Sequence, residues 1–100
     1  MSNRLFVAFV HRSDAWIKDL PPQEQAGFPD HAKFVAELEA SGFIAQAGLM
    51  QPSNDVLFIF RAESEDAVRR RMAQDPWQKD GHAKLGRVEE VHFRIGSPGA

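Results

Sequence analysis

A two-layer α+β fold is what this sequence predicts, and three observations lead to it. Two short runs, residues 5–10 and 56–60, are apolar at every position. Each is followed by a segment with helical spacing of apolar residues, and two further strand-like segments complete the order β-α-β-β-α-β.

Each element has a local cause. Leu5-Phe6-Val7-Ala8-Phe9-Val10 is aromatic and β-branched throughout, the pattern of a strand covered on both faces. Residues 13–29 mix Ser, Asp, Pro and Gly, with Pro21, Pro22 and Gly27 as breakers, and predict a loop with one helical turn around 14–18. Pro29 suits the first turn of a helix and Gly42 the position just past its end. His31, Phe34, Val35 and Leu38 recur at helical spacing between them, so a first helix spans 29–41. Residues 43–47 read as a second strand, Pro52, Ser53 and Asn54 turn the chain, and 56–60 form a third strand. Ser64 caps a second helix with Glu65 and Asp66 in its first turn, and that helix is expected to end at Asp75 because Pro76 cannot continue it. A loop over 77–84 leads to a fourth strand over 87–95, with Val91, Phe93 and Ile95 on one side and His92 and Arg94 on the other. The whole reads as a single domain over residues 1–95, and the tail 96–100 is expected to fray because it has nothing to bury.

With right-handed crossovers this order gives the ferredoxin-like split βαβ sheet, both helices on one face. Strands one and three are central in that topology, and they are the two segments apolar on both faces. Two helices cover only one face, so the expected cover for the other is a second copy of the same sheet: a homodimer joined through the face opposite the helices. Size points the same way. A chain of 11.2 kDa buries roughly 65% of its unfolded surface on folding, and association improves that margin.

Twelve basic against fourteen acidic residues give a net charge of -2, which offers no footprint for nucleic acid or an anionic membrane. The absence of cysteine excludes disulfides, thiolate zinc sites and a thiol nucleophile. The apolar run at the N-terminus is too short for a signal-peptide core or a membrane span, and a cytoplasmic protein is the expectation. No Gly-rich phosphate loop, Ser-centred nucleophile elbow or internal repeat is present, and no cofactor is expected.

Chemistry converges at one end of the sheet. His31, in the first turn of the first helix, and Asp75, in the last turn expected of the second, are brought to one rim by the topology. Both share a phase with apolar neighbours, and so both turn inward. A carboxylate at a helix C-terminus meets the negative end of the dipole, and an imidazole beside it would compensate that charge while being oriented by it. Alternatively, His31 is a buried hydrogen-bonded histidine and Asp75 a turn cap. The same rim collects His11, Arg12, Gly48 and His82, while Trp77 either stacks a planar ligand there or closes the corner of the second helix. Three histidines and an aspartate resemble a metal set, but no two have the i, i+4 spacing of a helical ligand pair, and no metal is expected. His92 reads as a surface residue, and Arg69, Arg70 and Arg71 as a solvated helix face.

These residues resemble the YciI-like (YCII-related) family. The resemblance rests on the first strand, on His31 opening the first helix, on Gly42 and the Ala47-Gly48 step, and on Asp75-Pro76-Trp77 with Gly81 six residues after the aspartate. It implies a ferredoxin-like fold of the dimeric α+β barrel group and a His/Asp site at His31 and Asp75. The family often carries an arginine three residues before its histidine, where this chain has Phe28. Its link to breakdown of chlorinated hydroxylated aromatics implies that elimination chemistry is within reach. The function expected is therefore cofactor-free acid–base chemistry of lyase or isomerase type on a small planar or carboxylated compound, with His31 as general base and Asp75 orienting it. The competing reading is a non-catalytic dimeric ligand-binding or interaction module in which the pair only fixes the helix ends. A closed apolar rim with His31 buried favours the module, and an open cleft with an ordered anion or small molecule touching His31 favours the enzyme.

Overall fold

Four antiparallel strands order themselves β2-β3-β1-β4 in the computed structural model, which describes residues 4–96. They are β1 (Leu5–Arg12), β2 (Ile44–Leu49), β3 (Val56–Arg61) and β4 (Ala83–Val91). The two apolar strands pair at the centre, from Leu5 opposite Arg61 to Val10 opposite Val56, and β2 and β4 flank them. Helix α1 (Phe28–Ala40) connects β1 to β2, and α2 (Glu65–Met72) followed by a single turn α3 (Pro76–Lys79) connects β3 to β4. This is the ferredoxin-like arrangement.

Alternation along the central strands builds the core. Phe6, Ala8 and Val10 of β1 and Phe58 and Phe60 of β3 point to one side, where Leu38 of α1 and Val68 and Met72 of α2 close over them. Leu38 and Val68 are fully buried. Leu38→Ala is expected to cost about 2–5 kcal/mol, transfer and cavity terms together, as read by urea unfolding. The opposite phase, Leu5, Val7, Phe9 and Leu57, is only half-buried and carries no helix, although Ile59 between them is 6% exposed.

Three departures from the sequence expectation go beyond a shift of one or two residues. The second helix stops at Met72 rather than Asp75, because Asp75 takes the extended backbone (ψ 127°) that a following proline demands. The expected loop over 77–84 therefore begins inside α3. The fourth strand runs over Ala83–Val91, not 87–95: its pairing with β1 slips between Ala8 and Val10, which breaks the period-two pattern in the sequence, and it ends where β1 begins, at Leu5 opposite Val91. Phe93 and Ile95 lie beyond the ladder and are exposed. The loop after β1 has its helical turn at Pro22–Glu24, as 3₁₀, instead of at 14–18. Of the tail expected to fray, residues 97–100 lie outside the described residues.

Candidate functional site

The first turn of α1 places His31. Gly27 caps it in the left-handed conformation (φ 77°), and its carbonyl accepts the His31 N–H at 3.0 Å. The positive φ is what favours glycine here; a Cβ would stand at ordinary contact distance, 3.4 Å from Oδ2 of Asp80.

Asp75 reaches the same point from the other crossover. It is the N-cap of α3, its Oδ1 accepting the Trp77 N–H at 3.0 Å. The carboxylate thus sits at the favourable end of a helical turn, the reverse of the helix C-terminus expected from sequence. Nδ1 of His31 lies 2.8 Å from Oδ1 and 3.0 Å from Oδ2. Asp75 is 2% exposed, and these two donors are what stabilise a carboxylate so far from water. An ionised carboxylate can only accept, so Nδ1 carries the hydrogen, and in the neutral form of the ring Nε2 has the lone pair. Among the described residues Nε2 has no hydrogen-bond partner.

Trp77 locks the ring. His31 stacks on the indole with centroids 3.8 Å apart and planes 13° from parallel. The indole is itself held by Nε1–H donating to the Ala26 carbonyl at 2.8 Å and by an edge contact from Trp16 at 5.1 Å. Trp77 closes the corner of the second crossover, buried, with the imidazole on its face, and it also lines the cavity described below. Asp80 adds field. Burial pushes its carboxyl up, but hydrogen bonds from the backbone and ring of His82, with the nearby charges of His82 and His31, hold it below the ordinary carboxylate range. A group depressed in this way stabilises the fold above its ordinary pKa and loses that contribution as pH falls through the lowered value. The stability difference between the wild-type chain and Asp80→Asn should therefore be present near neutrality and shrink below about pH 4, in denaturation midpoints taken at both pH values.

A cavity of about 410 Å³ opens beside the pair, with His31, Asp75 and Trp77 in its wall and β1, β2 and β3 as its floor. Of the rim residues expected from sequence, His11, Arg12 and Gly48 also line it, but they are not alike. The His11 ring pairs with Asp55 (Nδ1 to Oδ2, 3.0 Å) and fills the notch left by Gly86, where a Cβ would collide with it. The Arg12 guanidinium lies over the Trp16 ring, 4.1 Å from its centroid. Gly48 makes floor without crowding, since nothing stands within 4 Å of where its Cβ would be. His82 is not in the cavity wall; it bonds Asp80 (2.9 Å) behind Trp77, whose ring it faces at 6.0 Å. His92 is a surface residue, 82% exposed in its side chain. Among the described residues no group of three or more His, Asp or Glu side chains forms a metal site.

Sequence reasoning missed the wall contributed by residues 13–27. Trp16 lines the cavity, and buried Gln25 clips the loop into shape: its Oε1 accepts the Ile17 N–H at 3.0 Å while Nε2 donates to the carbonyls of Ile17 and Leu20. A tryptophan in an otherwise polar loop was the one available signal. Gln25 had none, because a side chain that satisfies loop backbone leaves no periodicity.

No protein-family model matches the chain, and no curated protein sequence matches it. Among solved structures it is similar to 5-chloro-2-hydroxyhydroquinone dehydrochlorinase from Burkholderia phenoliruptrix in complex with 2,5-dihydroxybenzoquinone, at 22% identity and a TM-score of 0.51, covering 92% of this chain and 95% of the other. The two share a fold. The pair and its cavity sit at the sheet end where both crossovers meet. No helix among the described residues is long and apolar enough to cross a membrane.

Proposed function

We propose that this chain is a YciI-like, cofactor-free acid–base enzyme of lyase or isomerase type, acting on a small planar or carboxylated compound with His31 as general base. One observation carries the reading: a buried carboxylate fixes Nδ1 of His31 and leaves Nε2 as the basic nitrogen of a side chain that lines a cavity. Asp75 holds the tautomer, and the Trp77 stack holds the ring plane. Proton abstraction and return need nothing beyond such an imidazole. The competing module reading calls for a closed rim over a buried histidine, whereas the His31 side chain is 19% exposed beside 410 Å³ of space. The structural neighbour is named as a dehydrochlorinase, and that elimination belongs to the reaction class proposed here. The test is solvent-deuterium incorporation, read by mass spectrometry, into a panel of small carbon acids incubated with the protein in heavy water. Exchange that requires His31 supports the assignment; exchange that survives His31→Gln unchanged would remove it.

The proposal includes a homodimer and a cytoplasmic location. Leu5, Val7, Phe9, Leu57 and Ile59 form one apolar field on the face without helices, flanked by charged residues of β4, and a second copy of the same face is its simplest complement. No residue of that field takes part in the His31–Asp75 contact, so dimerisation and proton transfer can be tested separately.

A further inference from the structure

Among the described residues that line the cavity, Arg12 is the one permanent cation, and its setting differs from that of half the arginines of this chain. Arg4, Arg69, Arg70 and Arg87 each hold a glutamate or aspartate. Arg12 is partly buried, has no ion pair or side-chain hydrogen bond among the described residues, and holds its guanidinium carbon over the Trp16 ring, 4.1 Å from the centroid. A guanidinium stacked on an aromatic face is held in position through its plane while its N–H edge stays free, the geometry that reads a carboxylate with two parallel hydrogen bonds. Its platform is continuous with the imidazole. Trp16 meets Trp77 edge-on, and Trp77 carries His31. The rest of the wall is mostly apolar, with Phe28 tilted against Trp77 at 6.0 Å and Phe58 on the floor, and its other polar members are His11, Asn54 and Asp75.

We infer that Arg12, presented by Trp16, is the specificity-determining residue of this cavity and selects a small planar carboxylate, its ring lying along the aromatic wall. This deepens the acid–base reading and rests on it in one respect only: with the carboxylate on Arg12, the other end of the ligand is what His31 would face. Anion recognition itself requires no turnover.

Benzoate separates the two, because it is planar and anionic and has no acidic carbon–hydrogen bond to react. Trp16 and Trp77, the chain's only two tryptophans, both line the cavity and report binding by fluorescence. Benzoate should bind saturably and at least about tenfold more tightly than neutral benzamide, as a charge-assisted pair would dictate. It should also bind more tightly than cyclohexanecarboxylate, and added salt should weaken benzoate while leaving benzamide unchanged. Arg12→Gln should bring benzoate down to the benzamide level, Arg12→Lys should fall between, and Arg70→Gln, on the exposed side of α2, should leave benzoate within a few-fold of the unaltered chain. Circular dichroism establishes that each variant is folded, and the salt series on the unaltered chain stands if one is not. Equal affinities for benzoate and benzamide, no benzoate binding, or benzoate affinity indifferent to Arg12→Gln in a folded variant would overturn the inference. An equal loss of benzoate binding in Arg70→Gln would make the effect one of net charge and overturn it too. Benzoate selectivity without any deuterium exchange would leave Arg12 assigned and remove only the catalytic reading.

Discussion

Asp75→Asn should lower His31-dependent exchange by about two to four powers of ten while the fold stands. The asparagine keeps one carbonyl oxygen, so it can still accept the Trp77 N–H that begins α3. It cannot do what two carboxylate oxygens do for Nδ1, which they face at 2.8 and 3.0 Å. An amide NH2 turned toward the ring reverses the preferred tautomer and puts the hydrogen on Nε2, where the base is needed. The loss should appear in kcat more than in KM, since Asp75 acts through His31 and not on the ligand. Asp75→Ala is expected to behave differently. It strips the cap and leaves two buried donors without an acceptor, at about 1–3 kcal/mol each, so the variant should lose stability as well as activity. A full-rate Asp75→Asn, with circular dichroism unchanged, would mean that the pair is a structural clasp.

Ile59→Asp should have the largest effect on assembly. Ile59 lies opposite Val7 at the centre of the face that carries no helix, and it is 6% exposed even in a single copy of the chain. A carboxylate there has no cation across the strand: Val7 faces it on one side and Gln46 on the other. Burying it unpaired costs several kcal/mol, a large share of the stability of a chain this size. Sedimentation should show a dimer for the unaltered chain, and a monomer or an unfolded chain for the variant. A monomeric unaltered chain at micromolar concentration would remove the dimer from the proposal, and a stable dimeric Ile59→Asp would move the interface elsewhere.

The sequence by itself determined the order of the elements, the centre of the sheet and the pair at its end. Those are local properties. Six consecutive apolar residues can only be a doubly covered strand or part of a buried helix, a proline and a glycine mark where α1 starts and stops, and the phase of His31 among Phe34, Val35 and Leu38 turns it inward. Once the crossovers are right-handed, residues 44 apart in sequence, His31 and Asp75, have one place to meet. Tertiary structure decided everything that depends on how side chains leave an irregular backbone. Asp75 ends up capping a turn that the pattern of α2 did not announce, because a proline's demand on its predecessor reshaped the chain there. The extent of β4 followed from its partner strand and a register slip, neither of which is written in its own alternation. Trp16, Gln25 and the stacked Arg12 came together through a loop without periodicity, and the direction of the His11 ring was set by the gap at Gly86 and by Asp55. Periodic hydrophobicity reports which face of an element meets the core. It carries no information about which loop folds over the open end of the sheet, and that loop is what turns a histidine and an aspartate into a walled site.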